Sequence, residues 1–310
     1  MAQTGQQKGQ QSGLIVVHHG RHCLLEAASG ERLICHTKGK KSLGVVGDRV
    51  LWKASGDEGT VESILPRRNL LYRQDEVRTK SFAANLDCVL ILIAATPEFS
   101  AHQLSRALVA AEAERITPVI VLNKSDLNVP FGRAWQRLLP YRQMGYDVQP
   151  LSLRSACDSD IQLVMERLEG KTTLVLGPSG AGKSTLINRL IPHAMALTNE
   201  VSRALQSGKH TTTCTTWYWL DDGKTSALID SPGFQDFGLN HIDAAQLAAY
   251  MPDLRPHLAH CRFYNCSHRH EPGCAVMAAV RTDDSPTGIS PSRYQIYCDL
   301  HTELCRPQRY

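Results

Sequence analysis

The sequence has no long apolar run. Its longest, Cys88 to Ala95, spans eight residues, and crossing a bilayer as a helix takes about twenty. A membrane-spanning helix is therefore excluded. Nor does residue range 1–13 carry an apolar signal-peptide core. It is polar and rich in Gln and Gly, and it reads as the disordered tail of a cytoplasmic protein. Ten cysteines in such a chain argue for metal binding or free thiols, not a disulfide framework. Charge of one sign is barely in excess: the net is +4 over 310 residues. All of that excess lies between Leu14 and Asn85, where twelve Lys/Arg face eight Asp/Glu. A compact basic module of this kind is a nucleic-acid footprint or simply a solvated face.

What is there centres on Gly177-Pro178-Ser179-Gly180-Ala181-Gly182-Lys183-Ser184-Thr185. This matches the phosphate-loop pattern G-x-x-x-x-G-K-[ST] at every constrained position. Thr172 to Leu176 reads as the buried strand before it, and Leu186 to Leu190 as the helix after it. Backbone N–H groups and the helix N-terminus would cradle a nucleoside triphosphate. Lys183 would reach the β- and γ-phosphates, and the Ser184 hydroxyl would ligate Mg²⁺.

Upstream, five short alternating segments (Leu14–Val17, Cys23–Ala27, Arg32–His36, Arg49–Ala54 and Thr60–Ile64) are separated by turn residues. They predict a small Greek-key barrel of the OB type. Lys38-Gly39-Lys40-Lys41 and Arg67-Arg68 put cations at its edges. Its few aromatics (Trp52, Tyr72, Phe82) favour RNA recognition by backbone and shape over base stacking.

From Asn85 the pattern changes to longer α/β units. Leu86 to Ala95 suits a parallel strand covered on both faces, and Ala101 to Arg115 an amphipathic helix. The strand Pro118 to Leu122 runs into Asn123-Lys124-Ser125-Asp126, an N-K-x-D. The Asp126 carboxylate can accept from the guanine N1–H and 2-amino groups. Adenine would leave it unpaired. Ser152-Leu153-Arg154 stands where a second base-contacting loop is expected. Asp230-Ser231-Pro232-Gly233 has the D-x-x-G form: Asp230 would hold Mg²⁺ through water and the Gly233 N–H would face the γ-phosphate. Gly208-Lys209-His210-Thr211-Thr212-Thr213 reads as a switch loop, with Thr212 as a Mg²⁺ ligand.

The order of these motifs is permuted. The guanine loop at 123 and the base loop near 152 precede the phosphate loop at 177, the switch at 208–213 and Asp230. Circular permutation is feasible because domain termini are often neighbours at the surface. Past the last switch, Cys261, Cys266, His268 and Cys274 lie within fourteen residues as C-x4-C-x-H-x5-C. Three thiolates and an imidazole suit a closed, structural tetrahedral Zn²⁺ site. His270 is an alternative ligand. Helices are expected around Leu239–Met251 and Tyr294–Leu304.

On these motifs the chain resembles the ribosome small-subunit-dependent GTPase A family (RsgA, also called YjeQ) from about residue 14 to its end. The shared features are the basic barrel, the permuted motifs, G-K-H-T-T-T, D-S-P-G-F and the Cys/His cluster. Leu153 departs from the small residue usual in the base loop, and Pro178 fills a variable position. The resemblance implies a multidomain protein: a tail at 1–13, an OB-fold RNA-binding barrel at 14–77, a circularly permuted α/β P-loop GTPase at 78–245 and an α-helical zinc-binding domain at 246–310. It further implies a GTP hydrolase, cycling between GTP and GDP, that acts in late maturation of the small (30S) subunit. It would bind the subunit's rRNA and be activated by it, as a cytoplasmic monomer with one Zn²⁺ and with Mg²⁺ on the nucleotide. Phe234 occupies the position where many GTPases carry a water-orienting glutamine, so His210 is the candidate catalytic residue. The competing class is a GTP-dependent RNA-binding switch with negligible turnover of its own. An ATP-dependent kinase is disfavoured by Asp126.

Overall fold

The computed structural model describes residues 10–19, 22–37, 44–56, 58–74, 79–155, 158–192, 194, 215–231, 234, 238–281 and 288–306. Five strands open the chain: β1 (Gln11–His19), β2 (His22–Ala27), β3 (Arg32–Thr37), β4 (Arg49–Ser55) and β5 (Glu58–Ile64). They pair in the order β1-β2-β3-β5-β4 and close through β1–β4, which makes the expected Greek-key barrel. Residues in β4 and β5 alternate between buried and exposed, as period-two side chains on a one-sided sheet must. The inward set Ile15, Cys23, Leu25, Cys35, Val50, Trp52 and Val61 fills the interior.

Two boundaries differ from expectation. Gln11 to Gly13 belong to β1, not to a tail, because β1 needs them to pair with Val50 to Trp52 and close the barrel. Position 77 falls between β6 (Leu70–Gln74) and β7 (Thr79–Ala84), which form one antiparallel hairpin. The barrel rests against this hairpin. Ala84 N–H donates to Val46 O at 2.9 Å, and a Cβ on Gly47 (φ +90°) would meet Ala84 O at 2.3 Å. Only glycine fits that approach.

The second half of the sheet is built on β8 (Cys88–Ala94), buried at every position. Helix α1 (Ala101–Ala113) is N-capped by Ser100, whose hydroxyl accepts from Gln103 N–H. Next come β9 (Thr117–Asn123), α2 (Asn128–Arg137), α3 (Leu139–Gln143), β10 (Asp147–Leu151), α4 (Asp158–Leu168), β11 (Thr172–Leu176), α5 (Lys183–Leu190), β12 (Thr215–Trp219) and β13 (Ala227–Asp230). Strand order is β10-β9-β8-β11-β13-β12, parallel except for β12. The chain thus enters the sheet at its middle, builds outward, and returns to place the phosphate-loop strand β11 beside β8. This is the permuted order read from the motifs. β12 then pairs with β1 (Val17↔Thr216), so barrel and α/β sheet are continuous.

The C-terminal part is less helical than expected. Over 239–251 the structure has turns and a single 3-10 stretch, Leu247–Tyr250, with a second at Arg255–His260. Pro252 supplies no N–H and the residue before it, Met251, is extended, whereas Pro256 stands at the start of the second 3-10 stretch. Two α-helices follow: the one-turn α6 (Ala275–Ala278) and α7 (Pro291–Leu304). One apolar cluster runs from Val16 through α1 to Leu300, so this part shares a core with the rest.

A buried ion pair fixes the docking. Arg293 of α7 donates to Asp253 through Nε (2.9 Å) and Nη2 (3.2 Å), and to Ser105 Oγ of α1 at 2.6 Å. Its guanidinium lies over the Tyr141 ring. Burial alone would lower the Arg293 pKa, but the facing Asp253 carboxylate raises it. Arg106–Glu303 and Arg255–Glu112 extend the contact along α1. Truncating Arg293 strands a buried carboxylate, which costs about 3–5 kcal/mol. Arg293→Ala should therefore lower stability by roughly that amount in urea unfolding, and Arg293→Met combined with Asp253→Leu should recover most of it. A single-variant loss below about 1 kcal/mol would refute the role given to this pair.

Candidate functional site

Asn123, the last residue of β9, is 3% exposed and holds three loops together. Its Nδ2 donates to Ala181 O in the phosphate loop at 2.8 Å. Its Oδ1 accepts from Lys124 N–H (2.7 Å) and from Leu153 N–H (3.1 Å) in the base loop. Gly182 has φ +102°, and a Cβ there would strike Asn123 Nδ2 at 2.5 Å. At Gly177 a Cβ would strike Leu92 O at 2.6 Å. Both glycines are required by close approach, one to the guanine loop and one to the sheet.

These loops enclose a cleft of about 1210 Å³ at the carboxyl ends of the parallel strands. Asn123, Lys124, Asp126, Gly177, Pro178, Ser179, Gly180, Gly182, Lys183, Ser184 and Thr185 line it, along with Leu127, Leu153, Arg154 and Phe234. Of the sequence candidates, Ser125, Ala181, Ser152 and Asp230 do not line it. Ser125 N–H is tied to Leu151 O, and Ala181 is buried. Ser152 sits behind Asp126 and donates from Oγ to Asp126 Oδ1 at 2.6 Å; Ser155 Oγ in turn donates to Ser152 Oγ at 2.7 Å. The Ser152 hydroxyl holds the Asp126 carboxyl below the usual carboxylate range, helped by Arg154 and Lys124. An ionised carboxylate at the cleft wall is the acceptor that a guanine edge needs. His210, Thr212 and Gly233 lie outside the described residues.

Lys183 opens α5 with Gly182 as its N-cap, so the phosphate loop ends on a helix N-terminus. The Lys183 ammonium pairs with Asp230 Oδ1 at the end of β13. The cation suited to phosphate and the carboxylate suited to Mg²⁺ thus meet at one point. Phe234 is 3% exposed, so its ring is packed in the wall and offers no hydrogen bond to a water.

A second centre lies in the C-terminal part. Cys261, Cys266, His268 and Cys274 present ligand atoms that all lie within 4.8 Å of one another. Cys261 Sγ and Cys274 Sγ lie 3.4 and 3.6 Å from His268 Nδ1, and 4.0 Å from each other. A Zn²⁺ tetrahedron with Zn–S of about 2.3 Å and Zn–N of about 2.0 Å has edges of about 3.5–3.8 Å. The residues fit a tetrahedral metal. His270 is exposed and outside the group. Supporting contacts surround it: Glu271 accepts from the N–H groups of Ser267 (2.8 Å), Arg269 (3.2 Å) and His270 (3.3 Å). From α7, the Tyr294 and Tyr297 hydroxyls donate to His268 O and Ser267 O, each at 2.8 Å. Such outer contacts orient ligands.

A family model for the RsgA GTPase matches residues 64–240. A curated relative from Variovorax paradoxus, named small ribosomal subunit biogenesis GTPase RsgA, is 66% identical over 292 residues, covering 94% of this chain and 92% of its own length. This chain belongs to the RsgA GTPase family. A relative of the same name from Burkholderia pseudomallei is 49% identical and is covered over 90% of its length. Among solved structures, YjeQ from Thermotoga maritima superposes with a TM-score of 0.72 at 29% identity, covering 96% of this chain and 100% of that one. YloQ, described as a circularly permuted GTPase, gives 0.70 at 27% identity with full coverage of both chains.

Within this RsgA-family chain, sequence reasoning missed one connecting residue. Glu26 of β2, 6% exposed, accepts from Arg32 Nε of the barrel (2.9 Å), from Trp219 Nε1 of β12 (2.9 Å) and from Lys224 Nζ (2.6 Å). Burial would raise its pKa, but the Lys224, Arg32 and Trp219 donors bring it below the ordinary glutamate value. The signal was out of reach because the Glu26–Trp219 contact spans 193 residues. The arginines expected at the edges of the barrel both carry ion pairs. Arg67 grips the fully buried Asp48 at 2.7 Å, and Arg68 pairs with Asp87 at 2.7 Å. The loop Lys38-Gly39-Lys40-Lys41 lies outside the described residues.

The pairing at Asp126 generates a specificity test. Asp126→Asn should weaken binding of guanosine nucleotide about a hundredfold, since charge-assisted bonds are lost. It should favour xanthosine nucleotide, whose 2-oxo group suits an amide donor. Equal loss of both in equilibrium binding would remove Asp126 from base recognition.

Proposed function

We propose that this chain hydrolyses GTP in the late maturation of the small (30S) ribosomal subunit, binds that subunit's rRNA and is activated by it. The observation that carries the reading is one cleft in which an ionised Asp126, braced by Ser152, faces a phosphate loop ending in Lys183. Relatives covered over nine-tenths of their length are named for small-subunit biogenesis, and this supports the partner.

Asp126 reads the guanine edge, and the Lys124 stem lies along the base. Ser125, Ser152 and Asn123 hold the loops that do so. Gly177 to Gly182 wrap the phosphates with backbone N–H groups, and Lys183 neutralises the β- and γ-phosphates after leaving Asp230. Ser184, Thr212 and Asp230 hold Mg²⁺, which supplies charge neutralisation between the phosphates. The Gly233 N–H faces the γ-phosphate. With Phe234 unable to orient water, His210 performs that task once the subunit positions it. Cys261, Cys266, His268 and Cys274 hold one structural Zn²⁺ that shapes the segment 246–310. The GTPase domain ends near 245, and the protein works as a cytoplasmic monomer.

Turnover of GTP titrated with purified subunits is the direct test. Small subunits should stimulate it, large subunits should not, and stimulation should fall as salt rises. His210→Ala should keep GTP binding and lose about a hundredfold of stimulated turnover. Absence of small-subunit stimulation in the wild type would sink the reading; normal turnover in His210→Ala would move the catalytic role elsewhere.

Metal content is a separate check. Chelator-free protein should carry about one zinc per chain, and Cys261→Ala or Cys274→Ala should release it while nucleotide affinity stays near wild type. A preparation free of zinc would refute the assignment.

A further inference from the structure

The barrel has few aromatic faces to offer a nucleic acid. Trp52 and Phe82 are buried in cores, and Tyr72 packs against His241, the rings tilted by 37° with centroids 4.2 Å apart. The exposed aromatics lie elsewhere. Among the described residues, the large apolar side chains exposed to solvent include two aromatics, and they are adjacent: Phe263 at 41% and Tyr264 at 102%. Both sit in the four-residue loop between Cys261 and Cys266, so metal-ligand residues pin that loop at each end. Backbone bonds close it: Arg262 N–H donates to Gly273 O at 3.1 Å and Cys266 N–H to Phe263 O at 3.3 Å. The Arg262 stem lies against Gly273, where an added Cβ would come within 3.1 Å of it, and its guanidinium sits 5.5 Å from the Phe263 ring centroid.

A fully solvated tyrosine on a tight, doubly anchored turn costs apolar exposure, and Tyr264 makes no hydrogen bond or ring contact among the described residues. Scattered surface apolars need no explanation, but two adjacent aromatics beside a cation form a recognition feature. The surrounding charge decides the partner. From 255 to 272 the sequence carries three arginines and one carboxylate. Arg255 is paired with Glu112, and Glu271 is turned onto the N–H groups of Ser267, Arg269 and His270, which leaves Arg262 and Arg269 as the cations beside the loop. An acidic partner is therefore favoured, and flat exposed rings select one with accessible π-faces. Duplex RNA hides its bases and is recognised by shape; unpaired bases stack on aromatic side chains and arginine planes.

We propose that the Arg262-Phe263-Tyr264-Asn265 loop is a base-stacking platform for unpaired RNA, with Tyr264 as its principal stacking residue and Arg262 as its phosphate contact. This deepens the small-subunit reading by naming an RNA-binding site on the metal-centred part of the chain, distinct from the barrel.

The test uses the full-length, zinc-loaded protein and two probes: a short unstructured RNA, and the same sequence annealed into a duplex. Tyr264→Ala should lower single-strand affinity about tenfold and leave duplex affinity unchanged. Tyr264→Trp should restore it. The slope of log affinity against log salt should stay at the wild-type value in Tyr264→Ala, because stacking releases no counterions, and should become shallower in Arg262→Ala. Unchanged single-strand affinity in Tyr264→Ala overturns the proposal. On small subunits, a photoreactive benzoyl-phenylalanine in place of Tyr264 should cross-link to an rRNA nucleotide. Cross-linking to a ribosomal protein alone would make this loop a protein-docking surface and overturn the proposal as well. Failure of the functional reading looks different: wild-type turnover would ignore small subunits while the free-RNA effects of Tyr264→Ala persisted.

Discussion

The carboxamide of Asn123 is the contact on which the nucleotide cleft depends. It sits at the buried end of β9, and its donor and acceptor atoms serve the phosphate loop, its own loop and the loop at Leu153. Each bond taken alone contributes about 1 kcal/mol. Together they fix the separation between the base-reading and phosphate-holding walls. Permutation has changed the order in which these walls are made, but not their convergence at the carboxyl ends of β8, β9 and β11. A crevice at that end of a parallel sheet is the general location for ligands in α/β folds.

Coupling between the parts follows from where strands and buried charges lie. In sequence, the segment Gly208 to Thr213 expected as a switch loop precedes β12, and β12 is hydrogen-bonded to β1 of the barrel. Glu26 adds a charge-assisted tie between the same two elements. On the opposite side, α1 leaves the sheet next to the guanine loop and carries the metal-centred segment through Arg293, Arg106 and Arg255. Neither outer part hangs on a linker.

The local features were legible in the sequence because each is written in consecutive residues. The phosphate loop, N-K-x-D and the Cys/His spacing are of this kind, and so are the five barrel strands, whose alternation follows from a single wet face. What could not be read depends on partners far along the chain. Gln11 to Gly13 look like tail until β4 supplies their ladder partners. Arg67 and Arg68 look like free surface cations until Asp48 and Asp87 are brought up to them. The segment 239–251 has buried leucines at helical spacing, but it forms turns and one 3-10 stretch that stops at the extended Met251 before Pro252. Ser152, expected among the nucleotide-binding residues, has its hydroxyl on the Asp126 carboxylate, a partner 26 residues away that the spacing does not reveal.

The antiparallel pairing of β12 with β1 has a further effect, on what kind of object the α/β sheet is. Without β1, β12 would be an edge strand with a row of open N–H and C=O groups and apolar rings on both faces, Trp217 on one and Tyr218 on the other. Such edges recruit strands from other molecules. The barrel therefore also serves as the sheet's edge guard: a module whose sequence alone reads as RNA-binding covers the open ladder of β12.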